Sequence, residues 1–277
     1  MKKILLSLLF LTFLISSVQS RTIVNHSNKA SPGTIVAKKF EETINDKSIN
    51  FYQANHCEQA DRKFNNTTDA VMVYNADVGI AALSKGLKCP LNAKAEKTIF
   101  IGKSYLKVCT NASNTNNIFK ASTMGMASVI LSKGVIADWN SEGIKVKGVP
   151  YGGSKGVLKA LVANDIDYGY VASGVAGPAE ANGLIRCDYT TDFREANFLG
   201  NHFKKIRIPN MPIVKVFYTN SNDPKFIAKL RQAVVKDEFK EFLNTAAYSD
   251  VKTNDISTQD INNVKKFIND SYNLYWK

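Results

Sequence analysis

The stretch that decides the fold runs from Val149 to Asp167 and reads VPYGGSKGVLKALVANDID. An extended approach ends in Pro150-Tyr151, a Gly152-Gly153-Ser154 turn follows, and a short amphipathic helix closes on Asn164-Asp165. Val157, Leu158, Leu161 and Val162 recur at spacings that place them on one helical face. Gly152 and Gly153 let the backbone approach a ligand closely, and Ser154 stands where an N-cap is expected. The first N–H groups of a helix have no partner within it and favour an anion such as a carboxylate. Strand, turn and helix in this order predict the edge of a pocket.

The same alternation extends outward in both directions. Arg21 to Asn25 and Ile49 to Tyr52 read as short strands. Between them, Ser31-Pro32-Gly33-Thr34 opens a helix carrying Val36, Phe40 and Ile44, with Ser31 as cap and Pro32 suited to the first turn. An amphipathic stretch runs from Cys57 to Phe64. Ala70 to Tyr74 is a continuous apolar strand of the buried, parallel-sheet kind, and its end, Tyr74-Asn75-Ala76-Asp77, reads as loop. In open α/β sheets ligands bind beyond the carboxyl ends of strands, so that end is a candidate site wall.

Thr98 to Ile101, Tyr105 to Cys109, Ile144 to Val149, Tyr168 to Val171 and Leu184 to Asp188 are further extended segments. Phe119 to Ser128 reads as a strand end entering a helix that carries Met126, Val129 and Ile130. Asp223-Pro224 starts a helix with Phe226, Ile227, Leu230, Val234 and Phe242, and Ser257 to Asp260 caps the last one. Strands alternating with helices predict an α/β fold.

The chain has 277 residues and a formal net charge of +12. Its first twenty residues read as an export leader: Lys2 and Lys3, an apolar run from Ile4 to Ile15, then Val18-Gln19-Ser20 before cleavage at Arg21. That run is too short for a membrane-spanning helix, which needs roughly 20 residues. Removing the leader and its two lysines leaves 257 residues at +10, enough for two modest domains. Apart from pairs such as Lys38-Lys39, Lys204-Lys205 and Lys265-Lys266, the basic residues are scattered. A solvated basic surface is expected and no nucleic-acid partner. The mature part holds all four cysteines, Cys57, Cys89, Cys109 and Cys187, and an even count in an exported chain points to disulfides. Three pairings are possible. No C-x-x-C occurs, and His56-Cys57 alone does not make a metal site, so neither metal nor cofactor is expected.

Several motifs resemble the substrate-binding receptors of tripartite tricarboxylate transporters, a branch of the type 2 periplasmic binding proteins. Ala121-Ser122-Thr123-Met124-Gly125-Met126-Ala127-Ser128 is similar to that family's A-S-x-G-x-G-S helix start, and Pro150-Tyr151-Gly152-Gly153-Ser154 to its P-Y-K-G-G turn. Leu158, Leu161 and Asp167 keep its spacing, and Gly183-Leu184-Ile185-Arg186 resembles its G-K-L-R-A strand. The run from Ser257 to Trp276 resembles its last helix. Two loops depart from the pattern. His26 to Thr34 replaces P-x-P-P-G-G-x-x-D, and Asn55 to Arg62 lacks glycine where the family is glycine-rich.

The resemblance implies two α/β lobes joined by two hinge-crossing strands. Domain I would span residues 21–107 with 190–277, and domain II residues 108–189. Disulfides Cys57–Cys89 and Cys109–Cys187 would then each lie within one domain, the second on adjacent hinge strands. It further implies a monomeric, periplasmic receptor that captures a small organic anion, a carboxylate, for membrane permease subunits. The ligand set would be Ser31, Gly33, Thr34, Tyr74, Asn75 and Asp77 from domain I. Domain II would add Ser122, Thr123, Gly125, Ser128, Tyr151, Gly152, Gly153 and Ser154. A transporter-free sensor or scavenger would use the same lobes. An enzyme reading also exists, because Gly152 to Gly156 fits the G-x-S-x-G of a hydrolase elbow, with Asp188 or Asp192 and His202 following in order. No HGGG-type oxyanion loop accompanies it, and no catalytic residue is assigned.

Overall fold

The computed structural model describes residues 21–27, 31–104, 106–114, 122–127, 129–141, 143–189 and 212–275. The expected leader, Ser128, Asp192 and His202 lie outside them. Six strands form the first sheet: β1 (Arg21–Asn25), β2 (Ile49–Gln53), β3 (Ala70–Asn75), β4 (Thr98–Ser104), β10 (Ile213–Thr219) and β11 (Tyr248–Lys252). Their order is β11-β4-β10-β3-β1-β2. β1 runs parallel to β2 and β3, whereas β10 lies antiparallel between β3 and β4.

β3 is buried along its whole length because helices cover both faces of the sheet. Val71 and Val73 face a core with α1 (Pro32–Ile44), α7 (Pro224–Val235) and α8 (Asp237–Thr245), where Phe40, Phe100, Phe217 and Phe239 cluster. Met72 and Tyr74 face the opposite core with α2 (Cys57–Asn65), α3 (Ala76–Ser84) and α9 (Thr258–Tyr275). Each buried phenylalanine contributes about 1.5–3 kcal/mol by leaving water, so the two-sided apolar run is what holds this sheet. Ser31 caps α1 by accepting a hydrogen bond from the Thr34 N–H at 3.2 Å, as the sequence predicts. Phe242 does not continue α7. Lys236 takes an extended conformation (ψ 142°) that ends that helix and starts α8.

The second sheet contains β5 (Leu106–Asn111), β6 (Ser122–Met126), β7 (Val146–Pro150), β8 (Tyr168–Ala172) and β9 (Ile185–Tyr189), in the order β7-β6-β8-β5-β9. β6 is parallel to β7 and β8. One face packs on α4 (Val129–Ser141) through Val135 and Trp139. The other packs on α5 (Ser154–Val162) and α6 (Ser173–Ala181) through Val157, Leu161, Ala176 and Ala179. Val162, expected on the buried face of α5, is exposed, and Ala160 takes its place.

The chain passes from the first sheet to the second between Ser104 and Leu106. Asn75, which ends β3, pairs with Lys215, and Lys215 pairs with Gly102 near that crossing. From the other side, Leu106 pairs with Ala172, the last residue of β8. The carboxyl ends of the parallel strands in both sheets therefore face each other across the crossing. There Gly174 of α6 lies against the chain just after α8, so closely that an added Cβ would stand 2.7 Å from the Ala246 Cα.

Both disulfides of the expected pairing are present. Cys57–Cys89 ties the start of α2 to the segment after α3. Cys109–Cys187 joins directly opposed residues of β5 and β9. Among the described residues no helix is long and apolar enough to cross a membrane.

Candidate functional site

On the first sheet the strand ends carry a polar network that holds the start of α1 in place. The Asn25 amide donates to Thr34 Oγ1 at 2.6 Å and to Gln53 Oε1 at 3.0 Å. Gln53 Nε2 donates in turn to the Ser27 carbonyl, and the Ser27 N–H donates to Asn25 Oδ1. This sets Gly33, in the first turn of α1, hard against three polar tips. A Cβ there would stand 2.3 Å from Asn75 Oδ1, 2.5 Å from Ser27 Oγ and 2.9 Å from Lys215 Nζ. Only glycine leaves room for that approach.

Lys215 is the centre of the group. It is 1% exposed, and the nearest charge is the Asp77 carboxylate at 3.8 Å, in the first turn of α3. Burial lowers its pKa, and Asp77 works in the opposite direction. Asn75 is fully buried, and among the described residues its Oδ1 has no hydrogen-bond partner; neither has the buried Oδ1 of Asp77 or the buried hydroxyl of Tyr248. Burial, and then Asp77, pushes the Tyr248 phenol well above its usual range. A cation, two unpaired acceptors and a helix start thus converge at the crossing. Leaving such groups buried and unpaired is costly, which makes the cluster the candidate site of this sheet.

The second sheet contributes the turn after β7. The Tyr151 N–H donates to the Met126 carbonyl at 3.1 Å, joining the ends of β6 and β7. Gly153, with φ +126°, takes the cap position of α5, and Gly152 is exposed with open space beside it. Ser154 is therefore not the N-cap. It sits inside the first turn, nearly buried, and its Oγ accepts from the Ala172 N–H at 3.0 Å. As a hydrolase nucleophile it would need exposure, and the structure turns it toward β8 instead. His202 and Asp192 are outside the described residues.

Several sequence-predicted ligand residues stand elsewhere. Tyr74 is core: its ring stacks on His26 at 4.6 Å and its hydroxyl donates to the Cys89 carbonyl. Ser122 and Thr123 begin β6, at the end away from the crossing, and are not a helix start. Thr123 is bonded to Asp167, its N–H and hydroxyl donating to Oδ2 at 2.7 and 2.9 Å. Gly125 is a packing glycine whose Cβ position is filled by Ile166 and Val157. Ala76 and Asp77, read as loop, open α3.

Three residues escaped sequence reasoning. Lys215 was hidden in an apolar strand, and Gln53 and Asn25 are ordinary strand-end residues until the fold joins them. The only signal was a charge inside IVKVFYT. His26, Cys57 and Cys89 bring potential ligand atoms within 4.8 Å of one another, but both sulfurs form the disulfide and carry no thiolate charge. A groove of about 390 Å³ between β4, β11 and α9 includes none of Gly33, Asn75, Asp77 and Lys215 in its lining, and its Lys103 and Lys252 are already paired with Asp250 and Asp260.

No family model and no curated protein sequence matches the chain. Solved structures do. The periplasmic binding protein BugD has a TM-score of 0.65 at 12% identity, over 92% of this chain and 97% of that one. MatC from Rhodopseudomonas palustris, solved with bound malate, gives 0.62 at 14% identity over 93% and 98%. An R. palustris protein solved with adipate gives 0.62 at 13% over 92% and 95%. At such identities the likeness is one of fold: this chain has the two-lobed α/β fold of the periplasmic binding proteins.

Proposed function

We propose that this protein is an exported receptor that captures a small carboxylate between its lobes and delivers it to a membrane transporter. The observation that carries the reading is the buried Lys215 side chain beside the start of α1, at the strand ends that face the second sheet. Malate and adipate, named with two proteins of the same fold, support the choice of a carboxylate. The N-terminal leader supports export.

In this reading the lobes are the two sheets with their helices, and the first contributes Ser31, Gly33, Thr34, Asn75, Asp77 and Lys215. The turn from Tyr151 to Gly153 and the adjoining Ser154 close from the second. Closure removes water from the anion and strengthens each charge-assisted hydrogen bond. No bond is made or broken. A thermal-shift screen against carboxylates, amino acids, phosphonates and sugars tests the proposal. A ligand at 100 times its Kd stabilises the fold by about 2.7 kcal/mol, a rise of roughly 5–11 °C. Silence from every carboxylate and amino acid in the panel would overturn it.

A further inference from the structure

The receptor reading leaves one feature of its own site unexplained. A receptor for a plain carboxylate needs donors, yet the cluster around Lys215 also presents two acceptors. The Asn75 Nδ2 donates to the Val73 carbonyl at 3.4 Å, which turns Oδ1 toward Gly33 and Lys215, where it has no hydrogen-bond partner among the described residues. The buried Oδ1 of Asp77 likewise accepts no hydrogen bond; its ion-pair partner Lys215 stands at 3.8 Å, beyond hydrogen-bond reach. Because Lys215 already stands beside the Asp77 carboxylate, the pair has no net positive charge to offer a dianion. Opposed to the acceptors stand two donors without a hydrogen bond among the described residues, Lys215 Nζ and the Gly33 N–H.

We propose that the ligand is a zwitterion, an α-amino carboxylate, whose carboxylate is taken by Lys215 and the Gly33 N–H and whose ammonium is taken by Asp77 and Asn75. A group of that kind supplies both of the things the cluster lacks, donors for two buried acceptors and an anion for a buried cation. A plain carboxylate supplies only the second and brings its charge up to Asp77. The inference rests on the receptor reading and narrows its ligand class.

Matched pairs decide it: L-alanine against propionate, L-aspartate against succinate and L-glutamate against glutarate, each titrated calorimetrically into the protein. The expected result is that at least one amino acid binds about tenfold or more tighter than its des-amino partner. Asp77→Asn should erase that preference, bringing the amino acid to within about threefold of its des-amino partner, and Lys215→Met should weaken both members of the pair. Thermal melts check that each variant is folded, and if Lys215→Met is not, Asp77→Asn alone carries the test. Des-amino acids that bind as tightly as their amino partners overturn this inference and leave the receptor reading standing, as does a preference that survives Asp77→Asn. If neither series binds, this inference falls, and the receptor reading is then decided by the wider panel.

Discussion

At the scale of single residues, the candidate site depends on a lysine that the fold buries almost completely. Lys215 shares a face of β10 with Phe217, and the first turn of α1 covers it. Burying an ammonium costs several kcal/mol, and Asp77 offsets part of that. Gly33 is the companion requirement. Alanine is favoured over glycine in a helix by roughly 1 kcal/mol, but overpacking costs about 1–3 kcal/mol, and the new methyl would meet three polar tips. Gly33→Ala should therefore lower the melting temperature and weaken ligand binding about tenfold, measured by calorimetry in both cases. His26 offers a separate check. Burial, and then Lys215, lowers its pKa from 6.5 to about 3, so the unfolded chain takes up a proton that the folded chain refuses. Its contribution to stability is whole above pH 6.5 and is lost as pH falls from there toward 3. Asp61 opposes this, because burial and Glu58 raise its carboxyl to about 6 and folding gains as pH drops through that value. The difference between the protein and His26→Gln isolates the histidine: the variant should lose less melting temperature between pH 7 and pH 4, and equal losses would refute the assignment.

At the scale of elements, local pattern was legible wherever local interactions decide the structure. Ser31-Pro32 and Asp223-Pro224 start helices because cap and first turn are settled within four residues. Ala121 to Ser128 misled because small residues suit a helix start and a tightly packed strand equally. What makes Gly125 a strand residue is the presence of Val157 and Ile166 from α5 and the loop after it, and no local pattern reports that. Ser154 misled for a similar reason: Gly153, at φ +126°, takes the cap position itself. The pairing of Cys109 with Cys187 lies inside the second sheet, between opposed residues of β5 and β9. Replacing both by alanine should cost about 2–4 kcal/mol in urea unfolding, by freeing a long loop of the unfolded chain. Ligand affinity should stay nearly unchanged, since the bond does not span the two sheets. A large loss of affinity would show that it positions the site.

At the scale of the whole molecule, function follows from how the two sheets are joined. Ser104 and Leu106 are separated by one residue, and the registers on either side bring Asn75 and Ala172 to the same crossing. If the lobes close on the ligand, the radius of gyration from small-angle scattering should fall at saturation, and an identical profile with and without ligand would argue against closure. The sequence by itself determined the α/β class, most helices and strands, and the lobe architecture that its motifs resemble. These are written in periodicity, caps and short motifs, all of which act over a few residues. Which side chains meet at the site was decided only by the tertiary structure. β10 enters between β3 and β4 from far along the chain, and that insertion alone sets Lys215 beside Asn75, Asp77 and Gly33. Burial and charge pairing of this kind depend on neighbours distant in sequence, so a lone lysine in an apolar strand gives no local sign of them.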